Sequence, residues 1–321
     1  MSKEIGGYLG LEEFFGREYH ADLLALNTGR NALVYLLKAR QVKKLYIPTF
    51  LCDCVERVCI REGFAYEKYS VGADFLPRFS GMPGEGEWVY VVNYYGQVSD
   101  EALLAMQKKW GRILVDHVQD FFRKPLPGVD TLYSCRKFFG VADGAYLSSD
   151  AVLALEKDAS RDRMAHVLGR FETTGSQYYG AFQASDESLY DLPLREMSPV
   201  TQNLLRGVDY DRVCHRRTEN YKTLAGILGG QNKLQPVLTA GPYCYPFYCE
   251  KGMAVKKALA AQKLYVPTLW PNVAEDALAT ETEKDMACNI LPLPCDQRYD
   301  AADMQRLAEA VLTCMTEVTS K

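Results

Sequence analysis

The first 150 residues alternate short strand-like runs with helix-like runs, and this alternation limits the possible folds more than any other feature. KLYIP (44–48) and RILVD (112–116) have the length and apolar content of buried strands. Residues 29–40 and 100–110 instead carry apolar side chains at helical spacing. Strands that alternate with helices predict a mostly parallel sheet with helices on both faces. We therefore predict an α/β fold.

The pattern changes beyond residue 150. Residues 151–168 and 200–228 are predicted to form long helices, separated by a loop-rich stretch at 172–192. The remaining sequence predicts strands at 243–249 and 289–294 and helices at 251–263 and 301–317. We predict a large α/β domain over residues 1–228, from which the long helices lead out, and a smaller C-terminal α+β domain over residues 229–321.

The composition is that of an ordinary globular protein, with 48% apolar residues, 24% charged residues and a formal net charge of −4. The basic residues are scattered, which argues against nucleic acid as a partner. No apolar run approaches the roughly 20 residues of a membrane span. The N-terminal sequence MSKEIGGYLGLEEFFG also lacks the unbroken apolar stretch of a signal peptide. We expect a cytoplasmic protein with no membrane partner.

The ten cysteines contain no C-x-x-C pair, and the four histidines are widely separated. A zinc site usually shows paired ligands at short spacing, so no metal is predicted. Disulfide frameworks belong mainly to short secreted chains. We expect free thiols that serve as small buried hydrophobic side chains.

The segment Asn27-Thr28-Gly29-Arg30 stands immediately before a predicted helix. A Thr-Gly turn at a helix N-terminus offers backbone N–H groups, a hydroxyl and the positive end of the helix dipole, which suit a phosphate. An ordinary helix cap has the same sequence, so the turn alone does not decide between the two interpretations.

An acid, Asp116, ends the strand-like run ILVD, and Gln119 follows three residues later. A carboxylate is the required partner of a ring nitrogen that must stay protonated. Gln119 is then placed to hydrogen-bond a neighbouring ring hydroxyl. The alternative is that Asp116 caps a following helix.

A lysine, Lys137, lies in the predicted loop between the strands TLYS (131–134) and GAYLSS (144–149). Its amine can form an imine with an aldehyde cofactor or a carbonyl substrate, provided that partial burial or a cationic neighbour lowers its pKa. Ser134 and Arg136 are candidate phosphate partners. The alternative is a basic turn at the surface, although the flanking Phe138-Phe139-Gly140 makes a purely solvated lysine less fitting.

Two further strand ends carry ambiguous residues. Asn93 leaves the run WVYVV together with two tyrosines and a glycine, and Phe50 follows KLYIP. Aromatic residues at such positions either stack on a ligand or pack against the sheet.

Ligands of open parallel sheets bind at the carboxyl ends of the strands, where these features fall in chain order. A phosphate turn, an acid for a pyridinium, a hydroxyl partner and an imine-forming lysine are the set that pyridoxal 5′-phosphate (PLP) requires. The sequence therefore predicts PLP as the cofactor.

The chain resembles the DegT/DnrJ/StrS family of sugar aminotransferases, which are fold-type-I PLP-dependent enzymes. NTGRNAL, YIPTFLCDCV, VVNYYGQ, LVDHVQD, YSCRKFFGVADGAYL and ILPLPCDQRYDAADM carry this resemblance along most of the sequence. It implies that Lys137 is the catalytic lysine, and that the cofactor is bound by Thr28, Gly29, Arg30, Asp116, Gln119, Ser134, Phe50 and Asn93. It further implies a homodimer that transfers an amino group from an amino acid to a nucleotide-linked keto-sugar.

Some segments depart from the family pattern. Ser134 and Lys137 are closer in sequence than in many members, and Val-Ala-Asp-Gly-Ala replaces a glycine-rich segment after the lysine. The region that supplies a partner-subunit asparagine in many members holds Arg195 instead. These differences leave two alternatives open: a PLP enzyme with other chemistry, such as dehydration or the use of an amino-acid substrate, or a non-catalytic homologue that binds a ligand or a partner.

Overall fold

The computed structural model describes residues 5–319, so the outermost residues of the two predicted domains, 1–4 and 320–321, lie outside the described residues. The strands are β1 (Leu24–Leu26), β2 (Lys44–Pro48), β3 (Ala65–Val71), β4 (Pro77–Arg78), β5 (Glu87–Val92), β6 (Ile113–Asp116), β7 (Asp130–Ser134), β8 (Ala145–Ser148), β9 (Cys244–Tyr248) and β10 (Ile290–Pro294). The α-helices are α1 (Gly29–Ala39), α2 (Asp53–Glu62), α3 (Asp100–Trp110), α4 (Ala165–Glu172), α5 (Tyr179–Ser188), α6 (Pro199–Arg206), α7 (Tyr210–Leu228), α8 (Gly252–Ala261), α9 (Glu281–Asn289) and α10 (Ala301–Thr319).

Eight strands form one sheet in the order β1-β8-β7-β6-β5-β2-β3-β4. Five neighbouring strands, β3, β2, β5, β6 and β7, are parallel. β8 runs antiparallel between β7 and β1. Residues 135–144 bring the chain straight back, whereas a parallel return would need a longer crossover. The predicted mostly parallel α/β sheet is confirmed.

A second, smaller sheet pairs β9 with β10 antiparallel. The apolar residues around it, from α7, α8 and α10, form a core separate from that of the large sheet. This core begins within α7, at Tyr221, Leu224 and Leu228. The smaller C-terminal α+β part is therefore present, while the exact boundary between residues 228 and 229 stays a prediction.

The predicted helix over 151–168 is wrong for most of its length, because α4 begins only at Ala165. Within the preceding residues, Asp158 donates a backbone hydrogen bond to the Glu196 carbonyl and forms an ion pair with Arg163. These long-range contacts override the local helical pattern.

Two other elements differ from the sequence prediction. The loop predicted over 172–192 contains helix α5. The single helix predicted over 200–228 is two helices, because α6 ends at Gly207 and the Asp209 side chain caps the start of α7. Each helix of residues 5–319 is too short or too polar to cross a membrane.

One buried histidine, His20, makes stability depend on pH. Its Nε2 lies 2.7 Å from the Phe121 carbonyl oxygen, and burial lowers the pKa of the imidazole to about 4. Because the unfolded chain binds this proton near pH 6.5, the free energy of unfolding should fall by up to about 3 kcal/mol as the pH drops from about 6.5 to 4.

Urea unfolding at pH 7 and pH 5 measures this effect. We expect His20→Gln to reduce the difference between the two pH values, and His215→Gln, at an exposed position of α7, to leave it unchanged. An equal pH dependence in the wild type and His20→Gln would contradict the assignment.

Candidate active site

Lys137 lies in the loop that follows β7, above the carboxyl ends of the parallel strands. The residue is exposed, and its Nζ lies 5.6 Å from the centroid of the Tyr243 ring. Crowding by protein atoms lowers the pKa of the amine, but Tyr243, Cys52, Asp116 and Cys54 together outweigh it and raise the pKa above its ordinary value. The lowered pKa expected from the sequence is therefore wrong, because acidic neighbours rather than cationic ones surround the amine. The structure thus brings the lysine and the acid predicted from sequence to one place.

Asp116 is buried at the end of β6. The Tyr90 hydroxyl donates to its Oδ2 at 2.5 Å and the Val118 N–H donates to its Oδ1 at 2.8 Å. Burial raises the pKa of the carboxyl, although these two hydrogen bonds and Lys137 act in the opposite direction. A buried carboxylate without a paired cation is well suited to compensate a positive charge on a ligand.

Gln119 is buried beside Asp116, and its Oε1 accepts a hydrogen bond of 2.7 Å from the Tyr95 N–H. Tyr95 itself has a left-handed φ of 55°. Within residues 5–319 no partner accepts from the Gln119 Nε2. This amide therefore has free N–H groups for an oxygen of a ligand, as its predicted role requires.

The predicted phosphate turn adjoins the end of β7. Thr28 caps α1 by accepting from the Asn31 N–H at 3.0 Å. A Cβ added to Gly29 would lie 4.0 Å from the Ser134 Cβ, so the turn and Ser134 are neighbours. The Ser134 hydroxyl has no hydrogen-bond partner in the described part of the chain. The helix N-terminus and this free hydroxyl fit a phosphate.

Two arginines beside this turn are held by the segment that contains α5. The Arg30 guanidinium stacks on the Tyr190 ring at 3.8 Å and lies 4.0 Å from the Asp186 carboxylate. Arg136 donates to the same carboxylate at 2.8 Å. Asp186 therefore competes with a phosphate for both side chains, and the binding of the cofactor by Arg30 stays a prediction.

The positions of Phe50 and Asn93 argue against a direct contact with a cofactor. Phe50 has no accessible surface, and its ring packs against Tyr94 and Trp270. The buried Asn93 amide donates to His117 and Asp120 and accepts from the Val98 N–H. Both side chains thus pack and hydrogen-bond within the protein instead of facing a ligand.

Arg195 contacts two acidic side chains of the segment that precedes α4. Its guanidinium is 3.8 Å from Asp158 and 3.8 Å from Glu156, and its carbonyl accepts from the Asn27 N–H. A contact of Arg195 with the cofactor of a partner subunit stays a prediction.

Four residues near Lys137 were not among the predicted site residues. Cys52 and Cys54 follow the last residue of β2 by four and six positions. Their place after a strand end could have identified them as candidate site residues. Tyr243 and Arg217 come from distant parts of the sequence, and no local pattern indicates that they approach the lysine.

Arg217 is buried on α7 and connects the loop of Lys137 with the C-terminal part of the chain. It donates to the carbonyls of Phe138, Pro242 and Tyr243 and to the side chain of Gln297. Because Phe138 follows Lys137 and Tyr243 faces it, Arg217 holds both sides of the lysine in position.

We expect Arg217→Met to lower the free energy of unfolding by about 3 kcal/mol, because it removes a charged N–H donor from the carbonyls of Phe138, Pro242 and Tyr243. The rate at which Lys137 reacts with a small aldehyde should fall as well, because Arg217 no longer holds the two sides of the lysine in position. Arg216→Met, at an exposed position of the same helix, should change neither quantity. Urea unfolding and borohydride trapping with peptide mapping measure the two effects, and unchanged behaviour of Arg217→Met would refute the role.

The large sheet with its reversed strand, the small second sheet and the lysine loop at the strand ends form a known architecture. Comparison with solved structures shows that the chain has the fold of the fold-type-I sugar aminotransferases. The fold implied by the resemblance in the sequence is therefore confirmed.

Particular similar structures include Spr1654 from Streptococcus pneumoniae, a candidate sugar aminotransferase solved with PMP, with a TM-score of 0.67 and 14% identity. That match covers 92% of this chain and 87% of the other. PseC from Helicobacter pylori, an aminotransferase of pseudoaminic acid biosynthesis, matches with a TM-score of 0.62 and 12% identity over 91% of this chain and 86% of its own. No family model and no curated protein sequence matches the chain.

Proposed function

We propose that this protein is a PLP-dependent aminotransferase that moves an amino group from an amino acid to a nucleotide-linked keto-sugar. The observation that carries the proposal is that Lys137, Asp116, Gln119 and the Thr28–Gly29 turn lie together at the carboxyl ends of the central strands. The similar structures support it, because the candidate sugar aminotransferase Spr1654 was solved both with PLP and with PMP.

The residues at the site fit this cofactor. The free hydroxyl of Ser134 and the N-terminus of α1 would bind the phosphate. The free N–H groups of Gln119 would bind the ring hydroxyl, and the buried Asp116 would keep the ring nitrogen protonated. When bound, the cofactor supplies an electron sink for the carbon that gains or loses a proton.

Lys137 would hold the cofactor through its amine and then move a proton between the substrate carbon and the cofactor. Tyr243 lies beside this amine and would limit its motion. Arg217 fixes the backbone on both sides. The chain thus contributes a base in a fixed position, in a site whose charged and polar groups are oriented before the substrate binds.

The two open alternatives remain distinct. A PLP enzyme of the same fold with other chemistry would load the cofactor but not release a 2-oxo acid from an amino-acid donor. A non-catalytic homologue would not load it at Lys137. Location in the cytoplasm and assembly as a homodimer, with amino-acid donor and keto-sugar acceptor as small-molecule partners, belong to the same proposal.

Absorption spectroscopy with added PLP, before and after borohydride reduction, is the first test. We expect a new absorption band that is lost on reduction, and a pyridoxyl mass on the peptide that contains Lys137. Release of 2-oxoglutarate from glutamate in the presence of PLP then distinguishes amino transfer from other chemistry. Modification spread over surface lysines, with no band, would favour the non-catalytic alternative.

A further inference from the structure

Two cysteines form a close pair near Lys137. Cys52 is the N-cap residue of α2 and Cys54 lies in its first turn. Their Sγ atoms are 2.7 Å apart, and both are free and partly exposed. Cys59 on the same helix is buried. The accessible pair therefore differs from the cysteines that serve as core side chains.

The surroundings give the two thiols different roles. The hydrogen bond from Cys54, more than the nearby Lys137, lowers the pKa of Cys52, while burial and Asp116 act against this. The Cys54 pKa is raised by that hydrogen bond and by burial, although Arg30 and Lys137 oppose the change. Cys52 is thus the better nucleophile and Cys54 the second thiol.

The backbone permits a bond between them. Residues two apart have Cα atoms at most about 7 Å from each other, close to the range of about 4.4–6.8 Å that disulfides span. The side chains already approach one another, so only a local adjustment at the start of α2 is required.

From this geometry we infer that Cys52 and Cys54 form a dithiol site that reacts with low-molecular-weight disulfides and closes to an intramolecular disulfide beside Lys137. The thiolate of Cys52 attacks one sulfur of the small disulfide, whose S–S bond breaks and releases one thiolate. Cys54 then loses its proton and attacks the mixed disulfide at Cys52, which expels the second small thiolate. Two protein thiols are oxidised and the small disulfide is reduced to two thiols.

This chemistry needs no cofactor, so its failure would leave the proposed function untouched. The reduced full-length chain is incubated with oxidised glutathione, then alkylated and mapped by mass spectrometry. We expect the peptide that contains residues 52–54 to lose two hydrogen atoms and to escape alkylation. The buried pair Cys244 and Cys295 should remain reduced.

Single variants separate the two roles. We expect Cys54→Ser to accumulate a mixed disulfide with glutathione at Cys52, because the second thiol is missing. Cys52→Ser should lose the reaction, and Cys214→Ser, at another partly exposed cysteine, should retain the internal disulfide. Alkylation of both Cys52 and Cys54 in the oxidised wild type, or glutathione spread evenly over Cys52, Cys54, Cys214 and Cys288, would overturn the inference.

Discussion

Lys137→Ala should abolish amino transfer while the fold remains intact. In the proposed function this amine both holds the cofactor and moves the proton, and loss of the proton-transfer role alone costs about 10²–10⁴-fold in rate. The side chain is exposed, so the free energy of unfolding should change by no more than about 0.5 kcal/mol. Single-turnover release of 2-oxoglutarate from glutamate with the PLP-loaded protein, and urea unfolding, measure the two quantities.

Lys109→Ala is the matched control for this variant. Both lysines are exposed and hold their ammonium groups near an aromatic ring, at 5.6 Å from Tyr243 for Lys137 and at 5.2 Å from Trp110 for Lys109. We expect the control to transfer amino groups at the wild-type rate. Amino transfer that persists in Lys137→Ala would rule out the assigned mechanism.

Asp116→Asn should lower the turnover about 10²–10³-fold, the effect typical of removing one group that stabilises the charge of a transition state. The amide keeps the shape of the carboxylate but cannot compensate a protonated ring nitrogen. Because folding raises the pKa of this carboxyl, its ionised form is disfavoured by folding at pH 7, and the variant should unfold at a higher urea concentration than the wild type.

An activity loss combined with a stability gain distinguishes this outcome from a folding defect. Asp130→Asn serves as the control, because Asp130 is a buried carboxylate at the opposite end of β7 and pairs with Arg40 at 3.0 Å. We expect that variant to lose stability and keep its turnover. Equal turnover of Asp116→Asn and Asp130→Asn would disprove the role of Asp116.

The local sequence predicted a secondary-structure element correctly where its hydrophobic periodicity agrees with the tertiary structure. The strand KLYIP coincides with β2 at Lys44–Pro48, and the helix predicted at 100–110 is α3. The prediction failed over 151–168, where Asp158 takes its partners from Asn27 and Arg163. A helical pattern cannot reveal hydrogen bonds to residues that are distant in sequence.

The same distinction applies to the site. Asp116 ends β6, Gln119 follows it by three residues, and Lys137 lies three residues after β7. Because ligands of parallel sheets bind at the carboxyl ends of the strands, the sequence predicted that these three side chains share one site. Phe50 stands at an equivalent point, yet Trp270 covers its ring. The sequence does not show which strand-end side chains are covered by a distant segment, nor that Tyr243 reaches the lysine.

The hydrogen bonds around Phe138 restrict how the protein can open. Its carbonyl accepts from Arg217 on α7 and from Gln297 after β10, so rotating the C-terminal part as a rigid body would pull on the lysine loop. The segment that contains α4 and α5 contacts the lysine loop mainly through side-chain pairs such as Asp186 with Arg136. We expect the sugar nucleotide of the proposed function to reach Lys137 by displacing this segment, with the C-terminal part remaining in place.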